Sequence, residues 1–272
     1  VFHFGVAYDG TEYAGWQVQP SAKTVQNEIE WRLARLYDVD KVNLYGTSRT
    51  DAGVHAGDQR FSFTPPTPGR FTPEKVKFLL NRWLAKDIRI HDAREEQPGF
   101  HARKSAVAKA YIYSVRYRES YNPFLNRYFW DVNYPLRFDR MERAAELLTG
   151  THDFAAFAAK AHRDIHSTSR HIFRLEIKRL ENEFYIIVIG DSFLYKMVRS
   201  LAGYLILRAG RSDEWEEKEV IRLLQGKEKE RPHFVETAPA RGLFLDKVFF
   251  REDEMATYQP QLPPFFNQNY SG

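Results

Sequence analysis

Apolar positions recur along the chain at two periods, one suited to strands and one to helices. Val1 to Tyr8 is short, aromatic and partly alternating, and Asp9-Gly10 closes it with a turn signal. Thr24 can cap a helix whose apolar stripe is Val25, Ile29, Leu33 and Leu36. Val42 to Tyr45 reads as a strand, and Gln59 to Phe63 as another, with Phe61 and Phe63 two apart. Thr72-Pro73 starts a second helix with proline at its first position, and its stripe runs through Val76, Leu79, Leu80 and Trp83. Asp87 to Ala93 is the last strand of a β-α-β-β-α-β series.

The second half repeats the order. Ala108 to Tyr117 alternates as a strand, and Asp139 is placed to cap a helix carrying Met141, Ala145 and Leu148. Ile172 to Leu180 and Phe184 to Ile189 read as a hairpin across Glu181-Asn182-Glu183. Val198, Leu201, Leu205 and Ala209 mark a helix ended by Gly210, Ser212 to Leu224 adds an extra one, and Leu243 to Phe250 closes the series. The pattern predicts an α/β (α+β) protein of two ferredoxin-like, RRM-like halves with their antiparallel sheets joined and an active-site cleft between them. The halves are placed at 1–104 and 105–251. Residues 252–272, with Gln259-Pro260-Gln261-Leu262-Pro263-Pro264, read as an extended or mobile tail.

Composition narrows the field. The 272 residues are 43% hydrophobic and 28% charged, enough apolar material for a real core. Aromatics reach 15%, a surplus that base stacking can use. The net charge of +4 permits a nucleic-acid partner without demanding one. The chain has no cysteine, which excludes disulfides, thiol catalysis and Cys-ligated zinc and fits a reducing compartment. No run approaches the roughly 20 apolar residues of a membrane span. Val1-Phe2-His3-Phe4 reads as the start of a strand rather than a signal peptide, so a cytoplasmic location is expected.

Candidate chemistry gathers in Ser48-Arg49-Thr50-Asp51-Ala52-Gly53-Val54-His55, between two predicted strands. As composition alone, Asp-x-Gly is ordinary turn chemistry. A second cluster, His162-x-x-x-His166 with Asp164 and His171, has a spacing that would suit zinc on a helix, but Ser167-Thr168-Ser169 argues for loop, and no metal site is assigned. Arg163 and Arg170 read as phosphate or ribose contacts or as solvated surface. Arg103, Lys104 and Lys109 form a similar weak basic cluster near Tyr111.

Several motifs, taken in order, carry a resemblance. They are Tyr8-Asp9-Gly10-Thr11-x-Tyr13-x-Gly15-Trp16-Gln17-x-Gln19, then Val25-Gln26, then Arg49-Thr50-Asp51-Ala52-Gly53-Val54-His55. Phe100-His101-Ala102-Arg103 follows, leading into Ala108-Lys109-Ala110-Tyr111-x-Tyr113. Gly150-x-His152-Asp153-Phe154 with Phe157, Phe193-Leu194-Tyr195-x-Met197-Val198-Arg199 and Ala238-Pro239-Ala240-x-Gly242-Leu243 complete the set. Together they resemble the tRNA pseudouridine synthase A (TruA) family from about residue 2 to residue 250. Ser48 and Arg241 depart from it, standing where glycine and an acid are common.

The resemblance implies isomerisation of uridine to pseudouridine in the anticodon arm of tRNA, at positions 38 to 40, by a homodimer with no cofactor. It assigns Asp51 as the catalytic carboxylate, with attack on ribose, attack on uracil and removal of the C2′ proton all left open. It nominates Arg199 to keep Asp51 ionised. Tyr111 is to stack on the uracil, and Arg49 to fill the space left by a flipped base. Period two puts Tyr113 on the same strand face as Tyr111, and only the family pattern chooses Tyr111. Three rivals remain at this stage. They are a related synthase with other RNA targets, a catalytically silent RNA-binding protein of tandem RRM-like folds, and a metal-dependent hydrolase using the histidines.

Overall fold

The protein is described by a computed structural model covering residues 1–159, 167–226 and 231–262. It divides into two compact units, Val1–Val107 with Phe244–Tyr258, and Ala108–Leu243 with the described residues from Gln259 onward.

The first unit opens with β1 (Phe2–Tyr8), α1 (Val25–Tyr37), β2 (Tyr45–Gly46), β3 (His55–Phe63), α2 (Pro73–Trp83), β4 (Ile88–Glu95) and the single turn α3 (Ala102–Ser105). Thr24 caps α1 by accepting the Asn27 amide at 3.3 Å, and Thr72 caps α2 by accepting that of Lys75, with Pro73 at the first helical position. Asp38, in the left-handed region at φ 57°, ends α1 and donates its amide to the Ala34 and Arg35 carbonyls. Val25, Ile29 and Leu33 of α1 and Val76 and Leu80 of α2 are fully buried, along with Phe4, Val6, Phe61 and Ile90 of the sheet. β1 lies between β3 and β4, antiparallel to both, and β2 pairs outside β3. This is the ferredoxin-like order that the β-α-β-β-α-β pattern predicts.

The second unit follows with β5 (Ala108–Tyr117), β6 (Trp130–Val132), α4 (Phe138–Leu148), β7 (Gly150–Asp153), β8 (Ser169–Arg179), β9 (Glu183–Gly190), α5 (Met197–Gly203) and α6 (Glu217–Leu223). β9 runs antiparallel between β5 and β8, β7 adds to the far side of β8, and β6 lies parallel to β5. The predicted hairpin forms, closed by the Leu180 amide on the Glu183 carbonyl at 2.8 Å. The chain then returns to the first unit with β10 (Leu243–Phe249) and α7 (Asp253–Ala256).

Details of the second half differ from expectation. Asp139 does not cap α4. The cap position is Arg137, without a side-chain bond, and Asp139 lies in the first turn, where a carboxylate favours the helix dipole. The helix predicted through Ala209 changes pitch, because α5 continues as a π-helical stretch, Tyr204–Ala209, and the Gly210 amide reaches back five residues to Leu205. The extra helix shrinks to α6, since Arg208 holds Ser212 and Glu214 in a turn before it. The closing strand forms where it was expected, as β10, and pairs in parallel with β3, Phe244 opposite His55 and Leu245 opposite Ala56. Its residues Leu243, Phe244, Leu245, Val248 and Phe249 are buried on both faces, as parallel strands require. Past it, α7 and Tyr258 are ordered, with the Tyr258 ring edge-on to Phe249 at 5.3 Å and its hydroxyl bonded to Asp246.

The first unit also holds two histidines with suppressed basicity, one of them buried. His3 is 1% exposed, sandwiched between Phe100 and Phe250, with Nδ1 3.0 Å from Glu96 Oε1. Burial lowers its pKa below 6.5, outweighing the Glu96 bond that raises it. Burial likewise lowers that of His91, against the pull of Asp58. Both take up protons less readily than they do in the unfolded chain, where histidine titrates near 6.5. The expected outcome is a urea midpoint that falls as pH drops from 7 through 6, before the carboxylates titrate, and a shallower fall in His3→Phe. Equal slopes in the two proteins would remove His3 from the account.

Candidate active site

The Arg49–His55 loop is built onto the segment that follows β1. The Trp16 amide donates to the Thr50 carbonyl at 3.1 Å, and the Gly53 amide donates to the Tyr13 carbonyl at 3.2 Å. The Tyr8 hydroxyl meets Thr50 Oγ1 at 2.8 Å in a buried hydrogen bond. The Gly10 amide approaches His55 Nδ1 at 3.1 Å. Asp9 Oδ1 stands 3.2 Å from the same Nδ1, and it accepts from the Thr11 amide and hydroxyl. A turn from the Val54 amide to the Asp51 carbonyl, 3.1 Å, closes the loop, with Gly53 at φ +76°.

Such close approach needs missing side chains. A Cβ on Gly10 would stand 1.9 Å from the Val54 carbonyl oxygen, and one on Gly15 would stand 2.5 Å from that of Thr50. Gly15 also has φ +98°. Gly46 leaves room for the Trp16 indole, whose Nε1 would otherwise meet a Cβ at 2.3 Å. The motif from Tyr8 to Gln17 is therefore the seat of the loop. Thr50 and Val54 are buried, Asp51 is half-buried, and Arg49 is exposed on the same stretch.

The second unit carries Tyr111 and Arg199. Tyr111 lies on β5 opposite Val188, 7% exposed, with its ring edge-on to Phe193 at 5.2 Å. Phe193 reaches that position because Gly190 leaves space for its ring, 2.9 Å from where a Cβ would sit. Tyr113, two residues on, differs in kind. It is fully buried, its hydroxyl donates to the Pro239 carbonyl at 2.8 Å, and burial raises its pKa well above the usual tyrosine value. Arg199 is half-buried on α5. Its Nε donates to the Ala238 carbonyl at 2.8 Å, and the Ala238 amide returns a bond to the Arg199 carbonyl at 3.0 Å.

The remaining predicted contacts are dispersed. Arg103 and Lys104 are exposed on α3, in the first unit. In the second, Lys109 Nζ donates to the Asp191 carbonyl at 3.1 Å, and Arg170 donates to the carbonyls of Ser167 and Ser169. Arg163 lies outside the described residues, as do His162, Asp164 and His166. His171 is bonded through Nδ1 to the Thr151 hydroxyl at 2.6 Å. Among the described residues no group of three or more histidines and carboxylates is placed to hold a metal ion, and no helix is long and apolar enough to cross a membrane.

One residue of the site escaped sequence reasoning. Gln59 is fully buried on β3. Its Oε1 accepts from the Thr47 hydroxyl at 2.7 Å and the Ser48 amide at 3.2 Å, and its Nε2 donates to the Ser48 carbonyl at 2.7 Å. The available signal was its phase, since a glutamine shares the face of Phe61 and Phe63.

Much of the chain is shared with known proteins. The family model described as tRNA pseudouridine synthase matches residues 5–103 and 144–251. A protein named tRNA pseudouridine synthase A from Bacillus pumilus is 40% identical over 90% of this chain and 97% of its own length. One from Protochlamydia amoebophila, tRNA pseudouridine synthase A 1, is 37% identical over 91% and 95%. Among solved structures, a chain of a Cbf5-Nop10-Gar1 complex matches at 11% identity and TM-score 0.35, over 76% of this chain and 45% of that one, a likeness too distant to carry weight.

The glycine seat can be tested against an internal control. Gly99 also has positive φ, +89°, but a Cβ there meets nothing within 4 Å. Gly99→Ala should therefore lose about 1 kcal/mol, from backbone strain alone. Gly15→Ala should lose about 2 kcal/mol or more and displace the Thr50 carbonyl as well. Urea unfolding of both proteins measures this, and equal losses would mean that the approach to Thr50 is not tight.

Proposed function

The chain belongs to the tRNA pseudouridine synthase family, and from that premise we propose that it isomerises uridine in tRNA with Asp51 as the reacting carboxylate. The observation that carries the proposal is the seating of Asp51. It is a half-buried acid on a loop whose neighbours Thr50, Gly53, Val54 and His55 are each tied to the segment after β1. A carboxylate held this way keeps its geometry without reorganising when the substrate arrives.

The reaction breaks the bond from ribose C1′ to uracil N1, turns the base, and joins C1′ to C5. The proton on C5 is lost and N1 gains one, so the sum of atoms is unchanged and no oxidant or reductant enters. A carboxylate can serve as nucleophile on the ribose or the uracil, or as base at C2′, and Asp51 fills the role common to all three routes. Tyr111 offers an aromatic face for the uracil and a hydroxyl for proton relay. The family pattern assigns Arg199 to hold the carboxylate ionised, and its guanidinium plane is oriented by the Ala238 carbonyl. Exposed Arg49 enters the stack vacated by the flipped base. Arg103 and Lys104 meet phosphate, with Lys109, Arg163 and Arg170 as further candidates. The target lies in the anticodon arm and the working form is a homodimer, readings that rest on the family alone, in a cytoplasmic setting where tRNA is found.

Asp51→Asn should lower product formation by about four orders of magnitude or more, leaving fold and tRNA affinity nearly intact. Asparagine keeps the shape, and the loop's closing bond uses the Asp51 backbone carbonyl, which the substitution retains. Pseudouridine mapping in unmodified tRNA, with circular dichroism and binding measured on the same preparation, decides it. Appreciable turnover by verified Asp51→Asn protein would overturn the proposal.

Tyr111→Phe should keep most RNA affinity and slow isomerisation by about a hundredfold, since the stacking face survives and the hydroxyl does not. Single-turnover rates at saturating enzyme test this. An unchanged rate would leave Tyr111 with stacking alone.

A further inference from the structure

The Arg49–Asp51 stretch is anchored from two sides by unrelated devices. On the Asp51 side, Thr50 is gripped through its carbonyl by the Trp16 amide and through its hydroxyl by Tyr8. On the other side, Ser48 is gripped through both its amide and its carbonyl by Gln59. Arg49 is the single residue between these grips, and it is exposed. Gln59 is fully buried, and its three bonds to Thr47 and Ser48 engage both the oxygen and the nitrogen of its amide. The Thr47 amide donates to the Arg60 carbonyl at 2.8 Å, so the strand-to-loop transition starts at Ser48.

We propose that Gln59 is a positioning residue for Arg49, fixing the backbone from which its guanidinium enters the RNA. The proposal rests on the reading that Arg49 acts on the RNA during base flipping. Asp51 has its own anchors, so Gln59 governs the step that Arg49 serves rather than the chemistry at the carboxylate. A buried amide suits this task because it offers donor and acceptor together. A carboxylate at the same place would still accept from the Thr47 hydroxyl and the Ser48 amide. Once ionised, however, it would set an oxygen against the Ser48 carbonyl.

Gln59→Glu makes this asymmetry measurable. Burial raises the pKa of the new carboxyl above the usual glutamate value, near 4.3. Below that raised pKa the protonated acid donates to the Ser48 carbonyl as the amide did, and above it the donor is lost. Single-turnover isomerisation by Gln59→Glu should therefore approach the wild-type rate at the acidic end of the working range. It should fall about tenfold or more as pH rises, relative to wild type at each pH. Arg49→Ala should be slow at every pH, and adding Gln59→Glu to it should cost little more, because both changes remove one function.

The outcomes separate the two claims. Full activity in Arg49→Ala would overturn the reading of Arg49, and with it the link to Gln59. A slow Arg49→Ala beside a Gln59→Glu protein that tracks wild type at all pH would overturn the positioning role alone. Multiplying losses in the double variant would do the same, as would a Gln59→Glu deficit that does not vary with pH. If Gln59→Glu does not fold, Thr47→Val removes one of the three bonds. Its several-fold rate loss should likewise vanish in the Arg49→Ala background, and persistence there would sink the proposal.

Discussion

The first unit depends on one close contact between backbones. The chain after β1 and the chain before β3 come near enough for the carbonyls of Thr50 and Val54 to occupy space that any side chain on Gly15 or Gly10 would take. The anchoring of the Asp51 loop follows from that approach. The amides of Trp16 and Gly53 find partners across it, and so do the Tyr8 hydroxyl and the His55 ring. Without it the loop's polar groups would face water or one another, and the carboxylate would sit on an ordinary connection. The sheet supplies the second half of the constraint. β1 and β3 are paired along most of their length, so the segments leaving them start from fixed positions.

Strength comes from satisfaction more than from number. Buried polar side chains cost stability unless they are bonded, and the loop's surroundings bury several, among them Thr47, Thr50, His55 and Gln59. Each is matched to a neighbour in the same unit, so the network rigidifies the loop without leaving a stranded donor or acceptor at its hinge points. The opposite sheet face manages its charge by ion pairing. Arg60 is nearly buried between Asp58 and Asp92, at 2.6 and 2.5 Å. Asp92 keeps a lowered pKa although burial pushes it up, because the Arg60 hydrogen bond and charge prevail.

How much of this could be read beforehand depended on the period of the signal. The helices over Val25–Tyr37 and Pro73–Trp83 were legible because threonine caps and apolar stripes agree with each other. The strand order of the first half followed from its pattern. The start of α4, the π-helical stretch after α5 and the parallel partner of β10 were not legible. Helix starts shift by a residue when no side chain caps them, pitch changes leave the apolar stripe nearly intact, and an apolar run does not name its neighbour. Asp51 and Arg49 were nominated through motif order. The function of the motif around Gly10 and Gly15 was invisible, because what matters there is the absence of atoms against a distant carbonyl. Gln59 was missed for a related reason, since its partners are backbone groups that no side-chain pattern announces.

The two units hold their candidate site residues by a shared principle with different materials. Asp51 stands on backbone pinned at the adjacent residue by a carbonyl bond, from Thr50 to the Trp16 amide. Arg199 is itself pinned through its carbonyl, by the Ala238 amide, and its guanidinium is oriented by Ala238 in return. α5 can run that close to the 236–238 segment because Gly203 has no side chain, a Cβ there standing 2.2 Å from the Glu236 carbonyl oxygen. A glycine facing a carbonyl therefore sets the backbone in both places, and the charged group projects from backbone that has no slack. Side chains anchored this way lose little further entropy when they engage a substrate, so more of the interaction remains to favour the reacting geometry. The same constraint bears on two tyrosines of identical spacing. Tyr113 is fully buried and bonded to Pro239, beside the pinned segment, whereas Tyr111 packs edge-on against Phe193.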